Sequence, residues 1–218
     1  MRSYGDLCGV ARALDVIGER WALLVVRELL LGPRRFNDLL GGLSGMSPNV
    51  LNQRLNELVD CGVVNRRDLG APTRVRLYEL TPWGRELQPV LFQLGRWGTR
   101  APLPPDGELG VGSLMLSLLA GFDQARAGEL RGAYEFRINT ETYAVEVADG
   151  LPRIRRGTVD QPDATLTTSI DTLRAVCGAR TSMAVAVRSG DLRLDGDQHA
   201  VQRLTELLLA PFTPPPDA

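Results

Sequence analysis

The chain is 218 residues long, 44% hydrophobic and 23% charged, a composition that can bury a core and excludes disorder of the chain as a whole. Its net charge of −1 conceals two halves of opposite sign. Residues 1–100 carry 14 Arg against 10 acidic residues, residues 101–218 carry 11 Arg against 16, and an asymmetry of this kind points to nucleic acid as a partner of the first half.

No apolar run approaches the roughly 18 residues of a membrane span, and the N-terminus lacks the apolar core of a secretory signal. The three cysteines, Cys8, Cys61 and Cys177, contain no CxxC pair, which argues against a disulfide scaffold and a structural zinc site. A cytoplasmic protein without metal, cofactor or membrane partner is the expectation.

In chain order, Asp6 is placed to cap a helix over residues 6–17, with Gly18 behind it. Residues 21–31 follow, apolar on every side and therefore read as the central buried helix of the domain, closed by Gly32-Pro33. Residues 35–40 make a short third helix. Ser47-Pro48 is an N-cap followed by proline in the first helical position, opening a helix to about residue 60. Two strand-like runs, 63–68 and 74–80, flank a turn-rich loop at 69–73. Thr81-Pro82 repeats the cap signal and opens a helix to about residue 97. Four helices, a hairpin and a helix is the order of a winged helix-turn-helix, a mainly α domain over residues 1–100.

Arg100 to Gly107 contains three prolines, so a linker is expected at 101–110. Beyond it, residues 111–127 read as an apolar helix. Strands follow at 133–139, 142–148, 152–156, 164–168 and 191–195, and helices at 171–177, 182–188 and 198–209. Asp149-Gly150 is a two-residue hairpin signal. An α+β domain over 111–210 and a disordered proline-rich tail at 211–218 complete the expectation.

On the helix beginning at Pro48, a rotation of 100° per residue groups Val50, Leu51, Leu55, Leu58 and Val59 on one side. Asn49, Gln53, Asn56 and, at the edge, Asn52 lie opposite, next to the Ser47 cap. Amide side chains carry a donor beside an acceptor, the pairing that reads adenine N6 and N7 in the major groove. A solvated amphipathic face is the plainer reading, but such faces more often carry charges than a cluster of amides. Arg66, Arg67, Arg74 and Arg76 lie on the hairpin and Arg34 and Arg35 at the start of the third helix, all suited to phosphate or minor groove. Arg54 lies about 60° from the centre of the apolar face, and both a phosphate contact and an internal ion pair stay open. On the last helix of the first domain, Trp83, Leu87, Val90, Leu91, Leu94 and Trp97 form one stripe, which suits a dimer seam or packing within its own domain.

The stretch WALLVVRELLLGPRRFNDL with Cys8 before it and SPNVLNQRL and YELTPWG after it resembles the HxlR family of bacterial winged helix-turn-helix transcriptional regulators, relatives of the MarR group. The likeness covers about residues 5–100. It implies a homodimer on a palindromic double-stranded DNA operator, joined through the first and last helices of this domain. Cys8 sits where several relatives carry a redox-sensing cysteine. A place in the first turn of a helix would favour its thiolate, and a purely structural cysteine is the alternative. Cys61 and Cys177 read as small core residues.

The runs DATLTTS and SGDLRLDGD, with Gly178 between them, resemble the sterol carrier protein family over about residues 130–210. That likeness implies a five-stranded sheet with helices on one side and an apolar tunnel. A cavity for a fatty acid or other apolar ligand would then involve Leu118, Phe122, Tyr134, Phe136 and Tyr143, with Arg137 and Arg174 as candidate carboxylate anchors. No enzyme is indicated: His199 is the lone histidine, in a polar run, and neither HExxH nor GxSxG occurs. A transcriptional regulator is the reading, modulated by an apolar ligand or through Cys8. The competing class is a lipid carrier that uses the winged helix for assembly.

Overall fold

A computed structural model describes residues 3–70, 75–102, 107, 109–122, 124–128 and 130–209. The chain divides into two compact units, Met1–Pro105 and Asp106–Ala218. The proline-rich tail expected at 211–218 lies outside the described residues.

The first unit opens with α1 (Gly9–Ile17), which begins two residues later than its sequence suggests. Asp6 does not cap it. Its Oδ1 accepts from the N–H of Cys8 at 2.9 Å, and Cys8 itself is the N-cap residue. The preceding strand of chain folds back along the helix, where Ser3 Oγ and the Tyr4 N–H both donate to Asp15 at 2.9 Å.

The second helix, α2 (Ala22–Leu30), follows Trp21, whose φ of 80° is left-handed and held against the core. Ala22, Val25, Val26 and Leu29 of α2 are buried, while Leu24 is exposed, so α2 is central without being buried on every side. Glu28 on the same helix is also buried. Strand β1 (Arg34–Arg35) is a two-residue element absent from the sequence reading, and α3 (Phe36–Gly42) follows it directly. Helix α4 (Pro48–Asp60) forms as expected, with Ser47 Oγ accepting from the Val50 N–H at 3.4 Å.

Strands β2 (Val64–Asp68) and β3 (Arg76–Leu80) pair antiparallel, and β1 adds to the other edge of β3. The register aligns Arg34, Tyr78 and Arg66 across one face of this small sheet and Arg35, Leu77 and Arg67 across the other. The single helix expected after Thr81 is two, α5 (Pro82–Arg85) and α6 (Leu87–Gly98). Pro89 has no N–H to donate to the Arg85 carbonyl, so the helical hydrogen-bond ladder is interrupted there. Leu51, Leu55 and Leu58 of α4 close on Val25, Val26, Leu29, Leu39, Val63, Val64, Tyr78 and Leu80, and each Leu-sized side chain removed from water is worth about 1.5–3 kcal/mol. This core fixes the angle between α4 and the hairpin.

In the second unit α7 (Val111–Gly121) and α8 (Gln124–Ala127) replace one expected helix, because Phe122 leaves helical geometry at ψ 125°. The strands are β4 (Gly132–Ile138), β5 (Glu141–Ala148), β6 (Leu151–Arg156), β7 (Ala164–Thr168) and β8 (Leu192–Gly196). They form a five-stranded sheet in the order β6-β5-β4-β7-β8, antiparallel except for β4 with β7. Asp149 and Gly150 both have positive φ, as the tight β5–β6 turn requires. Helices α9 (Ile170–Cys177) and α10 (Met183–Ser189) connect β7 to β8, and α11 (Gln198–Leu209) ends the described chain. Tyr134, Phe136 and Ile138 alternate into the core with Tyr143, Val145 and Val147.

Candidate nucleic-acid interface

Helix α4 presents two unlike sides. Leu51, Leu55 and Leu58 are at most 1% exposed, while Ser47, Asn49, Asn52 and Gln53 are exposed and Asn56 is half-buried. The apolar spacing of i, i+4 and i+7 anchors the helix by one stripe and leaves the amides outward.

Two amides are tied to neighbours. Gln53 Nε2 donates to Glu57 Oε1 at 3.0 Å, and Asn56 Oδ1 accepts from Arg66 Nη2 of β2. The second bond joins α4 to the hairpin.

Arg54 is 7% exposed and pairs with Glu57 and, at 3.6 Å, with Glu19. Its placement on the candidate DNA-contacting face is corrected: it is the internal ion pair of the two alternatives, because a position 60° from the centre of the apolar stripe is still inside. Arg34 is corrected as well. Its side chain is 15% exposed and bonds to buried Glu28, which also accepts from Arg27 at 3.0 Å. The tip of α3 closes over this group at Gly42, where a Cβ would stand 2.7 Å from Glu28 Oε2 and 2.8 Å from Arg34 Nη1.

Arg35 remains exposed at the N-cap of α3. On the hairpin, Arg66, Arg67 and Arg76 are exposed. Arg67 faces Glu79 at 3.8 Å and Arg76 donates to Asp68 at 3.1 Å, a bond that raises the Arg76 pKa. Arg74 lies outside the described residues. Two residues that the sequence reading passed over organise this site, Glu28 and Glu57. Glu57 was within reach, since it stands at i+3 from Arg54 and i+4 from Gln53.

The stripe on the last helix divides. Leu87 and Leu91 are half-buried against the core. Trp83 lines a cleft of about 450 Å³ between α1 and α5–α6, together with Arg12, Val16, Ile17 and Val63. Val90, Leu94 and Trp97 face outward, Trp97 at 71% exposure, and Leu7, Val10 and Leu14 at α1 are exposed too. Cys8 is exposed, and the backbone N–H groups of Val10 and Ala11 lower its thiol pKa. Burial pushes Cys177 up to about 11.

In the second unit, Leu118, Tyr134, Phe136 and Tyr143 are each at most 1% exposed. All four are buried in this structure, and none of them borders an open cavity among the described residues. Phe122 is half-buried at the end of α7. Arg137 already pairs with the Glu135 carboxylate at 2.6 Å. Burial would raise the Glu135 pKa, but the Val159 N–H and Arg137 outweigh it and hold the carboxyl low. Arg174 is exposed on α9. Among the described residues no cluster of metal-ligating side chains occurs, and no helix is long and apolar enough to cross a membrane.

Residues 16–103 match the model of the HxlR-like helix-turn-helix family, and residues 114–214 match that of the alkyl sulfatase C-terminal domain. An HTH-type transcriptional regulator of Synechocystis is 40% identical over 96 residues, covering 44% of this chain and 70% of that protein. The HTH-type transcriptional regulator YvaP of Bacillus subtilis is 40% identical over 89 residues, covering 40% of this chain and 82% of its own length. Among solved structures, the redox regulator HypR in its oxidized form is 30% identical, covers 44% of this chain and 100% of that chain, and superposes with a TM-score of 0.42. On its first unit, the chain belongs to the HxlR-like helix-turn-helix family of DNA-binding transcriptional regulators.

Proposed function

We propose that this chain is a sequence-specific regulator that acts as a homodimer, reads the major groove with α4 and rests its hairpin and Arg35 on the DNA backbone. One observation carries this reading. The outward side of α4 is a run of uncharged hydrogen-bonding groups (Ser47, Asn49, Asn52 and Gln53) beside the exposed arginines of the hairpin. The homodimer is supported by the exposed apolar side chains of the α1 region and α6, since apolar patches of this kind on a folded surface mark association sites. We take the second unit, whose five strands are what the sterol-carrier likeness implies, as a dimerisation or partner-binding module rather than a carrier, because Leu118, Tyr134, Phe136 and Tyr143 are buried.

Footprinting with the full chain on DNA upstream of its own gene, followed by titrations from 50 to 200 mM salt, tests the function. A protected site whose affinity falls steeply with salt is expected, because phosphate contacts release counterions. Alanine at Arg67 or Arg76 then weakens operator and random DNA alike and lowers the salt slope by about 1 per subunit. A chain that protects no DNA, or whose binding ignores salt, is not a regulator of this type. A second reading rests on Cys8, an exposed thiol with a lowered pKa at a helix N-cap. It requires peroxide to change operator affinity in the wild-type chain and not in Cys8→Ser.

A further inference from the structure

The five-stranded sheet of the second unit ends in two edge strands, β6 and β8, and an unpaired edge is a template for another strand. Which backbone groups each edge leaves open follows from the hydrogen bonds at the strand ends, since successive residues turn to alternate sides. At β6 the Gly157 N–H donates to the Thr142 carbonyl at 2.9 Å, so Arg153 and Arg155 turn their backbone groups to β5. Pro152, Ile154 and Arg156 turn theirs outward. A second β6 laid antiparallel about Ile154 would set Arg153 against Arg155 twice, and Pro152 has no N–H to give. That edge is defended against its own copy.

The β8 edge is of the opposite kind. The Thr168 carbonyl accepts from the Asn139 N–H, on the β4 side of β7, and the Asp163 carbonyl accepts from the Asp197 N–H on the β8 side, both at 3.1 Å. Alternation between these two bonds sends Thr165 and Thr167 of β7 toward Asp195 and Arg193 of β8. Leu192 and Leu194 then face outward with their backbone groups, and no hydrogen bond reaches those groups among the described residues. A second β8 laid antiparallel about Leu194 bonds Leu194 to Leu194 through both backbone groups. It also sets Arg193 of each copy opposite Asp195 of the other, in the closer, non-hydrogen-bonded pairs. Both side chains are exposed, and within one copy they bond to each other at 2.8 Å. Helix α10, which packs on β8, leaves Val185 and Val187 exposed beside this edge.

We propose that the β8 edge is a self-association surface, on which a second copy of the chain pairs antiparallel about Leu194 and the two five-stranded sheets become one of ten strands. The proposal rests on the reading of the second unit as a dimerisation module. A two-fold interface has to be complementary to itself, and β8 meets that condition because its charges change sign across its centre. Arg193 and Asp195 exchange their bond along the strand for two bonds across the axis. A foreign strand would need a matching order of charges, whereas a second copy brings it.

The test uses the full chain with Val90→Asp and Leu94→Asp, two exposed positions of α6, so that association through the first unit is removed. Sedimentation of this chain shows a dimer. Adding Arg193→Asp or Asp195→Arg raises its dissociation constant about tenfold, because two attractive cross-strand pairs become repulsive. Combining both substitutions in one chain restores the dimer. Mixing the two single variants also restores it, since one then carries two acids on β8 and the other two arginines. Arg153→Glu on β6 leaves association unchanged. A second measurement keeps both seams intact, in full chains carrying only Cys8→Ser. Co-produced Arg193→Cys and Asp195→Cys chains form a disulfide with each other, because the paired Cα atoms stand about 4.5 Å apart, and neither variant alone forms one. If the α6 variant is a monomer, the second unit is not a dimerisation module and both readings fall. If it is a dimer that ignores the β8 charges and the cysteine pair does not link, the second copy sits elsewhere and only the β8 assignment falls. A charge reversal that weakens association without rescue by its counterpart is a fold defect, and the assignment falls with it unless the disulfide forms.

Discussion

Arginine makes the residue scale instructive, because the chain has no lysine and every basic group shares one chemistry. Arg34 and Arg35 are neighbours in sequence and stand on opposite faces of β1, since successive strand side chains alternate. Arg34 turns in to buried Glu28, and Arg35 stays in water. The two substitutions should therefore separate. Arg34→Ala removes one partner of a buried carboxylate and should cost about 3 kcal/mol of stability, with Arg27 keeping it toward the lower end of what broken buried pairs lose. Arg35→Ala should leave the unfolding midpoint within about 0.5 kcal/mol and lower the salt slope of DNA binding by about 1 per subunit. Urea unfolding and salt titration of both variants check this. Equal stability losses would mean that Arg35 is structural too.

Element by element, the sequence was most readable where one residue type forces a local geometry. Ser47-Pro48 and Thr81-Pro82 each mark a helix start, and in both the hydroxyl accepts from the N–H three residues on. Asp149-Gly150 marks its turn for the same reason. Features that exist only through tertiary pairing, with no pattern of their own, were not readable. β1 is two arginines long and exists because β3 offers it an edge, and a glutamate in α2 gives no sign of being buried until Arg34 and Gly42 are brought to it. Pro89 marks the α5–α6 break, a signal the sequence reading did not use.

The placement of α5 yields a prediction of its own. Gly84, in the middle of that one-turn helix, is buried so closely on the Val63 carbonyl that a Cβ would collide with the oxygen. Backbone cannot step aside as a side chain can, so Gly84→Ala should lift α5 off the start of β2 and cost about 1–3 kcal/mol. Thr81→Ala, which removes the cap bond to Gly84 and the donation of the same hydroxyl to the Gly62 carbonyl at 2.8 Å, should cost about 1–2 kcal/mol. Thermal unfolding that ranks Thr81→Ala above Gly84→Ala would show that α5 has room to move.

Across the whole molecule the two units differ in what holds them and in charge: the acidic excess lies in the half that contains the sheet domain, and the basic excess in the half that contains α4 and the hairpin. The relatives that match this chain cover 44% of it or less in the cases compared above, so the second unit has to be understood from its own interior. A helix laid on a sheet either encloses a hollow or fills it. Here Leu114, Met115 and Leu118 of α7 are buried with Tyr134, Phe136 and Tyr143 of the sheet, all at 2% exposure or less. An acyl chain could enter among these buried side chains only by displacing some of them, and forcing extra volume into a packed interior costs about 1–3 kcal/mol. Long-chain fatty acids should therefore leave the melting temperature of the full chain unchanged. Phe136→Ala, which opens a hollow where none exists, should cost about 3–5 kcal/mol. A saturable rise in melting temperature with fatty acid in the wild-type chain would show that this interior opens for a ligand, and would return the second unit to the carriers.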